Sequence, residues 1–176
     1  GTARAWSSSS LQNGRRDHEL SRVAAWVPQP RSPQPTALRA QSLPAAQWEL
    51  IVVDNNSTPP LASWLDLAGL PATRILTETA QGFAPALIRG VRDATGEICV
   101  LVHDDNLLAP DYLTEVARIA REWPQLGAWG GGYEAEYEEQ PDPGLAPFLA
   151  YLAVNLVERD RWTNALYDYP ATPCGA

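Results

Sequence analysis

Two short apolar runs that each stop on carboxylates constrain this chain more than any other feature. Glu49-Leu50-Ile51-Val52-Val53 ends at Asp54-Asn55-Asn56-Ser57, and Glu97-Ile98-Cys99-Val100-Leu101-Val102 ends at His103-Asp104-Asp105-Asn106. Runs this short, rich in β-branched residues and without polar alternation, read as strands buried on both faces of a parallel sheet. Residues 82–94 lie between them with Phe83, Ala86, Leu87 and Val91 at helical spacing. Pro85 fits the first turn of such a helix, and Gly96 supplies a stop. Strands alternating with helices imply an α/β fold with a mainly parallel sheet flanked by helices. Ligands of such sheets bind beyond the carboxyl ends of the strands, where Asp54 and Asp105 are expected to meet.

The remaining elements follow from the same signals. Leu38, Ala40 and Leu43 suit a short helix ending before Pro44, residues 61–67 suit one or two helical turns, and Arg74-Ile75-Leu76 suits a brief strand. Pro110 is placed at the first position of a helix whose apolar stripe is Tyr112, Leu113, Val116 and Ile119, ended by Trp123-Pro124. A fourth strand is expected over residues 126–129, an edge strand over 133–137, and an amphipathic helix over 145–158. Residues 1–35, with a serine run and Pro28, Pro30, Pro33 and Pro35, read as an irregular leader, which leaves 36–176 as the folded domain.

Charge narrows the partners. The net charge is -8, which argues against nucleic acid as a ligand, because phosphate backbones call for basic stripes. Residues 1–41 hold six Arg against Asp17 and Glu19, a balance of +4, whereas residues 42–176 hold seven Arg against nineteen acids, a balance of -12. A basic arm on an acidic body can touch anionic lipid, although an unstructured leader is the better account of the arm. All thirteen basic residues are Arg. Without lysine there is no P-loop lysine, no Schiff base and no partner for a phosphoaspartate switch. Cys99 and Cys174 give neither a disulfide framework nor a zinc site, and Cys99 in its apolar run is expected to be a buried thiol. No apolar stretch nears the length of a membrane span, and no signal-peptide core stands at the N-terminus, so the expected location is cytoplasmic or peripheral at the inner face of a membrane. The absence of Met leads us to expect a piece or processed form of a longer chain.

Carboxylates crowded at a strand end repel one another unless a cation neutralises them. Asp104-Asp105 is an oxygen donor set suited to Mg²⁺ or Mn²⁺ shared with substrate phosphates. Its structural alternative is capping: Asn106 or Asp111 near Pro110 can serve the N-terminus of the next helix. Asp54-Asn55-Asn56-Ser57 has its own alternative, an Asx turn.

The order of the motifs is more specific than any one of them. Trp48-Glu49-Leu50-Ile51-Val52-Val53-Asp54-Asn55-Asn56-Ser57 resembles the E-L-I-V-V-D-x-x-S strand and turn of family 2 glycosyltransferases of the GT-A fold. Gln81-Gly82-Phe83 and Arg89-Gly90 stand where that family has its glycine-initiated helix. Gly96-Glu97-Ile98 through Asp104-Asp105-Asn106, followed by Pro110-Asp111-Tyr112-Leu113, resembles its G-E-x-(apolar)-D-x-D and P-x-x-L. The resemblance implies that Asp54 binds the nucleotide base, that Asp104 and Asp105 bind the nucleotide sugar, and that Asp105 is the main contact to Mg²⁺ or Mn²⁺. The donor it implies is a nucleotide-diphosphate sugar, most often UDP-linked, and the acceptor a glycan or lipid-linked saccharide, joined by inverting displacement.

The chain departs from that pattern at several places. His103 stands where the family's D-x-D has its first Asp, as a metal or nucleotide-sugar contact or as a packed polar residue. Ala86-Leu87-Ile88-Arg89-Gly90 lacks the usual Ala-Arg-Asn, which makes Arg89 a candidate replacement contact. Nothing in residues 1–40 matches the family's opening strand and Pro-Thr-Tyr-like turn, and Val23-Ala24-Ala25-Trp26-Val27 is a poor substitute, so the first strand is expected to be missing. Losing it would expose sheet edges and favour aggregation. The family's catalytic base is expected beyond Ala176, and Glu134, Glu136 and Asp168 match no base motif. Trp129-Gly130-Gly131-Gly132 suits either a close-approach loop beside a donor sugar or a bulge. The alternative function is a non-catalytic nucleotide-binding remnant of the same fold.

Overall fold

The computed structural model describes residues 24–26, 34–103, 106–132, 135–137, 139–145 and 148. Four strands form one parallel sheet: β1 (Ala24–Trp26), β2 (Leu50–Asp54), β3 (Thr73–Thr77) and β4 (Val100–Leu101), in the spatial order β3-β2-β1-β4. Around it lie the helices α1 (Gln34–Arg39), α2 (Phe83–Asp93) and α3 (Tyr112–Glu122), with 3₁₀ turns at Ala45–Gln47 and Leu61–Ser63.

β2 lies in the sheet's interior, between β3 and β1, and is buried along its whole length. Its side chains alternate between the two faces, as the pleat requires. Leu50 and Val52 join Leu38, Trp48, Leu61, Val102, Leu108 and Leu113 on one side, while Ile51 and Val53 meet Ala86 of α2 on the other. A strand covered on both faces has no use for polar alternation, which is why its sequence reads as an unbroken apolar run. β2 pairs with β3 in register from Leu50↔Thr73 to Asp54↔Thr77.

Three expectations are corrected. The first strand is present: Ala24–Trp26, from the segment read as an irregular leader, is the central strand, with Ala25 opposite Ile51 on one side and Leu101 on the other. Its pairing is wholly long-range, so local sequence carries little trace of it, and the expectation of aggregation through a missing central strand loses its premise. The rest of the leader, residues 1–23 and 27–33, lies outside the described residues. Residues 126–129 form no strand, and among the described residues no strand pairs with them. Cys99 is exposed rather than buried, because β4 starts only at Val100. Of the expected edge strand, residues 135–137 are irregular and 133–134 lie outside the described residues, as does most of the expected 145–158 helix.

α2 spans the predicted segment, yet it turns a different face inward. Ala86 and Gly90 are its buried residues, while Phe83, Ile88 and Val91 are exposed. Two small residues one turn apart let the helix axis approach β1 and β2 closely, and size rather than hydrophobicity selects that face. α3 buries Leu113 and Ala117 and starts after Asp111, two residues beyond the predicted Pro110. Its first turn is held from a distance: Gln41 Oε1 accepts the Leu113 N–H (3.0 Å), and Gln41 Nε2 donates to the Ala109 carbonyl (2.8 Å). The first of these satisfies an amide that a helix N-terminus otherwise leaves unpaired, and the second anchors Gln41 to the carbonyl that also accepts the Tyr112 N–H.

Candidate functional site

Each parallel strand delivers its last residue to the same edge of the sheet, and the candidate residues divide according to whether they reach that edge. Asp54 closes β2 there. It is 6% exposed, and a carboxylate so buried needs donors. Oδ1 accepts the Ser57 N–H and Oδ2 accepts the Leu61 N–H, both at 2.9 Å. Burial pushes the Asp54 carboxyl up, but the Leu61 and Ser57 amides and the Ser57 hydroxyl outweigh it and hold the group below its ordinary value. The Asx-turn reading of this segment therefore describes its geometry, with Asp54 organising the turn that carries the chain to the 3₁₀ turn at Leu61–Ser63.

The two asparagines after Asp54 fasten this turn to the start of α2. Asn55 Nδ2 donates to the carbonyls of Glu78 (2.8 Å) and Ala80 (2.7 Å), and Asn55 Oδ1 accepts the Gly82 N–H (2.7 Å). Asn56 Nδ2 donates to the Thr79 carbonyl at 2.8 Å. Asn56 has φ 63°, a left-handed conformation that asparagine tolerates better than most residues. Gly82, at φ 128°, starts α2 from a conformation reserved for glycine. The sequence carried a signal for both asparagines, a short polar pair after a strand, but not their partners some 23 to 27 residues away.

Phe83 and His103 complete this rim. Phe83 opens α2 at 60% exposure. Its ring centroid lies 5.3 Å from that of His103, with the planes tilted by 58°. His103 follows β4, two strands away from Asp54 across β1, or about 10 Å at the usual strand spacing. The His103 carbonyl accepts the Asn106 N–H at 3.3 Å. Asp104 and Asp105 lie outside the described residues. Among the described residues no three His, Cys, Asp or Glu side chains group as a metal site.

Arg89 is not at this edge. α2 runs back down the sheet, and Arg89 Nε lies 2.8 Å from Asp93 Oδ2 in its last turns, too poorly aligned to count as a hydrogen bond. The Asp93 carbonyl in turn accepts Arg74 Nη2, whose other partner is Glu49 at the start of β2. That end of the sheet holds a cluster the sequence reading missed. Glu49 is 4% exposed; Oε1 accepts the Thr95 N–H and hydroxyl, each at 2.9 Å, and Oε2 pairs with Arg74 Nη2 at 2.9 Å. Burial raises the Glu49 carboxyl, but Thr95 and Arg74 together bring it below its ordinary value. Lying at the amino end of β2, this cluster ties β2 to β3 and to the α2–β4 connection, and no ligand chemistry converges on it.

The glycine stretch comes near the start of α3: a Cβ on Gly131 would stand 3.6 Å from Tyr112 Cε2. Glu136 is exposed on an irregular segment, while Glu134 and Asp168 lie outside the described residues.

The sequence matches the family model described as glycosyl transferase family 2 over residues 35–167. Solved structures share the fold. One is S. aureus TarS 1–349 in complex with UDP, at 16% identity and TM-score 0.58, covering 70% of this chain and 38% of that one. The same protein in complex with UDP-GlcNAc aligns at 16% identity and TM-score 0.55, covering 70% and 37%. A mannosyltransferase from Pyrobaculum calidifontis in complex with GDP-Man and Mn²⁺ aligns at 25% identity and TM-score 0.50, covering 65% and 35%. The chain thus spans well under half the length of these structures. No curated protein matches it by sequence.

Proposed function

This chain belongs to glycosyl transferase family 2, and on that premise we propose that it moves a sugar from a nucleotide-diphosphate sugar, UDP-linked, to a hydroxyl of a glycan or lipid-linked saccharide. The observation that carries the reading is that the family match, residues 35–167, falls on the elements that bring the Asp54 turn, the start of α2 and His103 to one edge of a parallel sheet. That edge is where α/β sheets hold their ligands. The similar structures that hold UDP, UDP-GlcNAc or GDP-Man support a nucleotide-sugar donor.

In this reading Asp54, Asp104 and Asp105 bind the donor. Asp54 also organises the turn, its oxygens accepting two backbone amides and keeping lone pairs for a ligand. His103 stands at the same edge as a polar neighbour of the donor, while Arg89, paired with Asp93 near the opposite edge, has no direct part. Carboxylate oxygens at a strand end fit a hard divalent cation. Mg²⁺ or Mn²⁺ held by Asp105 and the donor diphosphate would neutralise the charge that develops on the leaving group. The acceptor hydroxyl gives its proton to a carboxylate base, its oxygen bonds to the anomeric carbon, and the bond to the nucleoside diphosphate breaks on the opposite face, so the configuration inverts. Holding donor and acceptor in line supplies much of the rate. Among the described residues no helix is long and apolar enough to cross a membrane. We infer a cytoplasmic protein, with the basic residues ahead of β1, Arg4, Arg15, Arg16 and Arg22, as the contact to an inner membrane face.

Release of nucleoside diphosphate tests this function. The chain with Mn²⁺ is incubated with UDP-glucose, UDP-GlcNAc and GDP-mannose in turn, with and without saccharide acceptors. Release from one donor, lost on Asp105→Ala, is the expected result. A folded chain that binds a donor without ever releasing diphosphate would instead be a nucleotide-binding remnant of the family.

A further inference from the structure

Phe83 is the feature of this rim that neither the motifs nor the proposed chemistry uses. A single exposed apolar residue is ordinary on a protein surface. Phe83 differs in three respects. Its helix buries Ala86 and Gly90, so its ring takes no part in the packing of α2 on the sheet. Its backbone is fixed from one side, since the preceding Gly82 donates to Asn55 Oδ1 at 2.7 Å. Its ring is fixed from another, by the His103 ring at 5.3 Å and a 58° tilt. Aromatic pairs at such separations and tilts favour one arrangement over free rotation. The outcome is an aromatic ring that is 60% exposed yet held in place, one residue from the clamp to the Asp54 turn.

Asp54 can offer a ligand only the lone pairs that its two amides leave, which suit the edge of a base and not its face. It is 6% exposed and both oxygens accept amides. The face of a nucleobase at this edge therefore needs another partner, and an aromatic ring suits it, because every base has a π-face to stack. We infer that Phe83, steadied by His103, is the surface against which the nucleobase of the donor stacks. The inference rests on the reading of this edge as a nucleotide-sugar site, and it adds the residue that holds the base.

The test compares ligands with and without a base. UDP and inorganic pyrophosphate are each titrated calorimetrically into the full chain with Mn²⁺, for the wild type and for Phe83→Leu, Phe83→Ala and Phe83→Trp. Leucine keeps the apolar bulk and removes the π-face, so it guards against damage from truncation. The expected result is a loss of about tenfold in UDP affinity for Phe83→Leu and Phe83→Ala, retention in Phe83→Trp, and unchanged pyrophosphate binding throughout. In the wild type, the uracil protons should also move upfield in the NMR spectrum through the ring current, and this shift should vanish in Phe83→Leu. Wild-type UDP affinity in Phe83→Leu overturns the inference, as does an equal loss of pyrophosphate, which would mean the start of α2 is disturbed. A folded wild type that binds neither ligand removes the donor-site reading itself.

Discussion

Replacing Glu49 by glutamine isolates the charge of the one buried carboxylate, among the described residues, that lies away from the candidate site. The amide oxygen of the substituted side chain can still accept the Thr95 N–H and hydroxyl, whereas its amide nitrogen would face Arg74 Nη2, donor against donor. The loss is therefore one charge-assisted hydrogen bond, which contributes roughly 1.5–3 kcal/mol. The Arg74 side chain is 40% exposed and keeps its bond to the Asp93 carbonyl at 2.7 Å, so water can take over part of its solvation. That favours the lower half of the range, about 2 kcal/mol. Glu49→Ala also removes Oε1, the oxygen that accepts both the Thr95 N–H and hydroxyl, and should cost about 3–4 kcal/mol. In urea titrations followed by circular dichroism, a loss of about 2 kcal/mol lowers the midpoint by about 1 M at an unchanged slope. The sign of the pH dependence is fixed as well. The folded-state carboxyl titrates below its ordinary value of 4.5, so its contribution is fully present only above that ordinary value and is lost as the pH falls through the folded one. Glu49→Gln should therefore differ most from the wild type at neutral pH and converge on it in acid. An unshifted midpoint at neutral pH, or an acid dependence identical to the wild type, would refute this account of the cluster.

Three further outcomes are expected. Asn55→Ala removes two donated bonds and one accepted bond between the β2 turn and the α2 entry, and should cost about 1–2 kcal/mol in urea unfolding while weakening UDP binding. Ala86→Leu forces bulk between α2 and the Ile51–Val53 face, and should destabilise by about 1–3 kcal/mol, read as a lowered thermal midpoint. Arg89→Gln breaks a half-exposed pair with Asp93 and should leave UDP affinity unchanged in a calorimetric titration, with at most about 1 kcal/mol of lost stability; a marked loss of UDP affinity would return Arg89 to the donor site.

What could be read in the sequence depended on where each signal was stored. β2 was legible because burial on both faces leaves a local mark, the run Leu50-Ile51-Val52-Val53, and the half-buried edge strand β3 through its Ile75-Leu76 pair. β1 was not, because Ala24, Ala25 and Trp26 include no β-branched residue, and their strand exists only through partners some 26 and 76 positions away, such as Ile51 and Val100. The span of α2 was legible from its periodicity, but its buried face was misassigned, since close approach to the sheet favours Ala86 and Gly90 over larger apolar residues. Residues 126–129 had an apolar look without a ladder to join. At the site, the motifs pointed to Asp54 and to the end of β4. They did not show that Asn55 joins the first to the start of α2, or that Phe83 meets His103, because those contacts are made by side chains across the fold. Glu49 was visible as a letter of the strand motif, but its partners Arg74 and Thr95 were not.

The most direct test of the donor site is a calorimetric titration of UDP into the folded chain, with and without Mn²⁺, repeated on Asp105→Ala. The account predicts saturable binding that is strengthened by Mn²⁺ and abolished by the substitution. Binding that ignores both the metal and Asp105, or no binding of UDP or of any other nucleoside diphosphate by a chain shown to be folded, would contradict it.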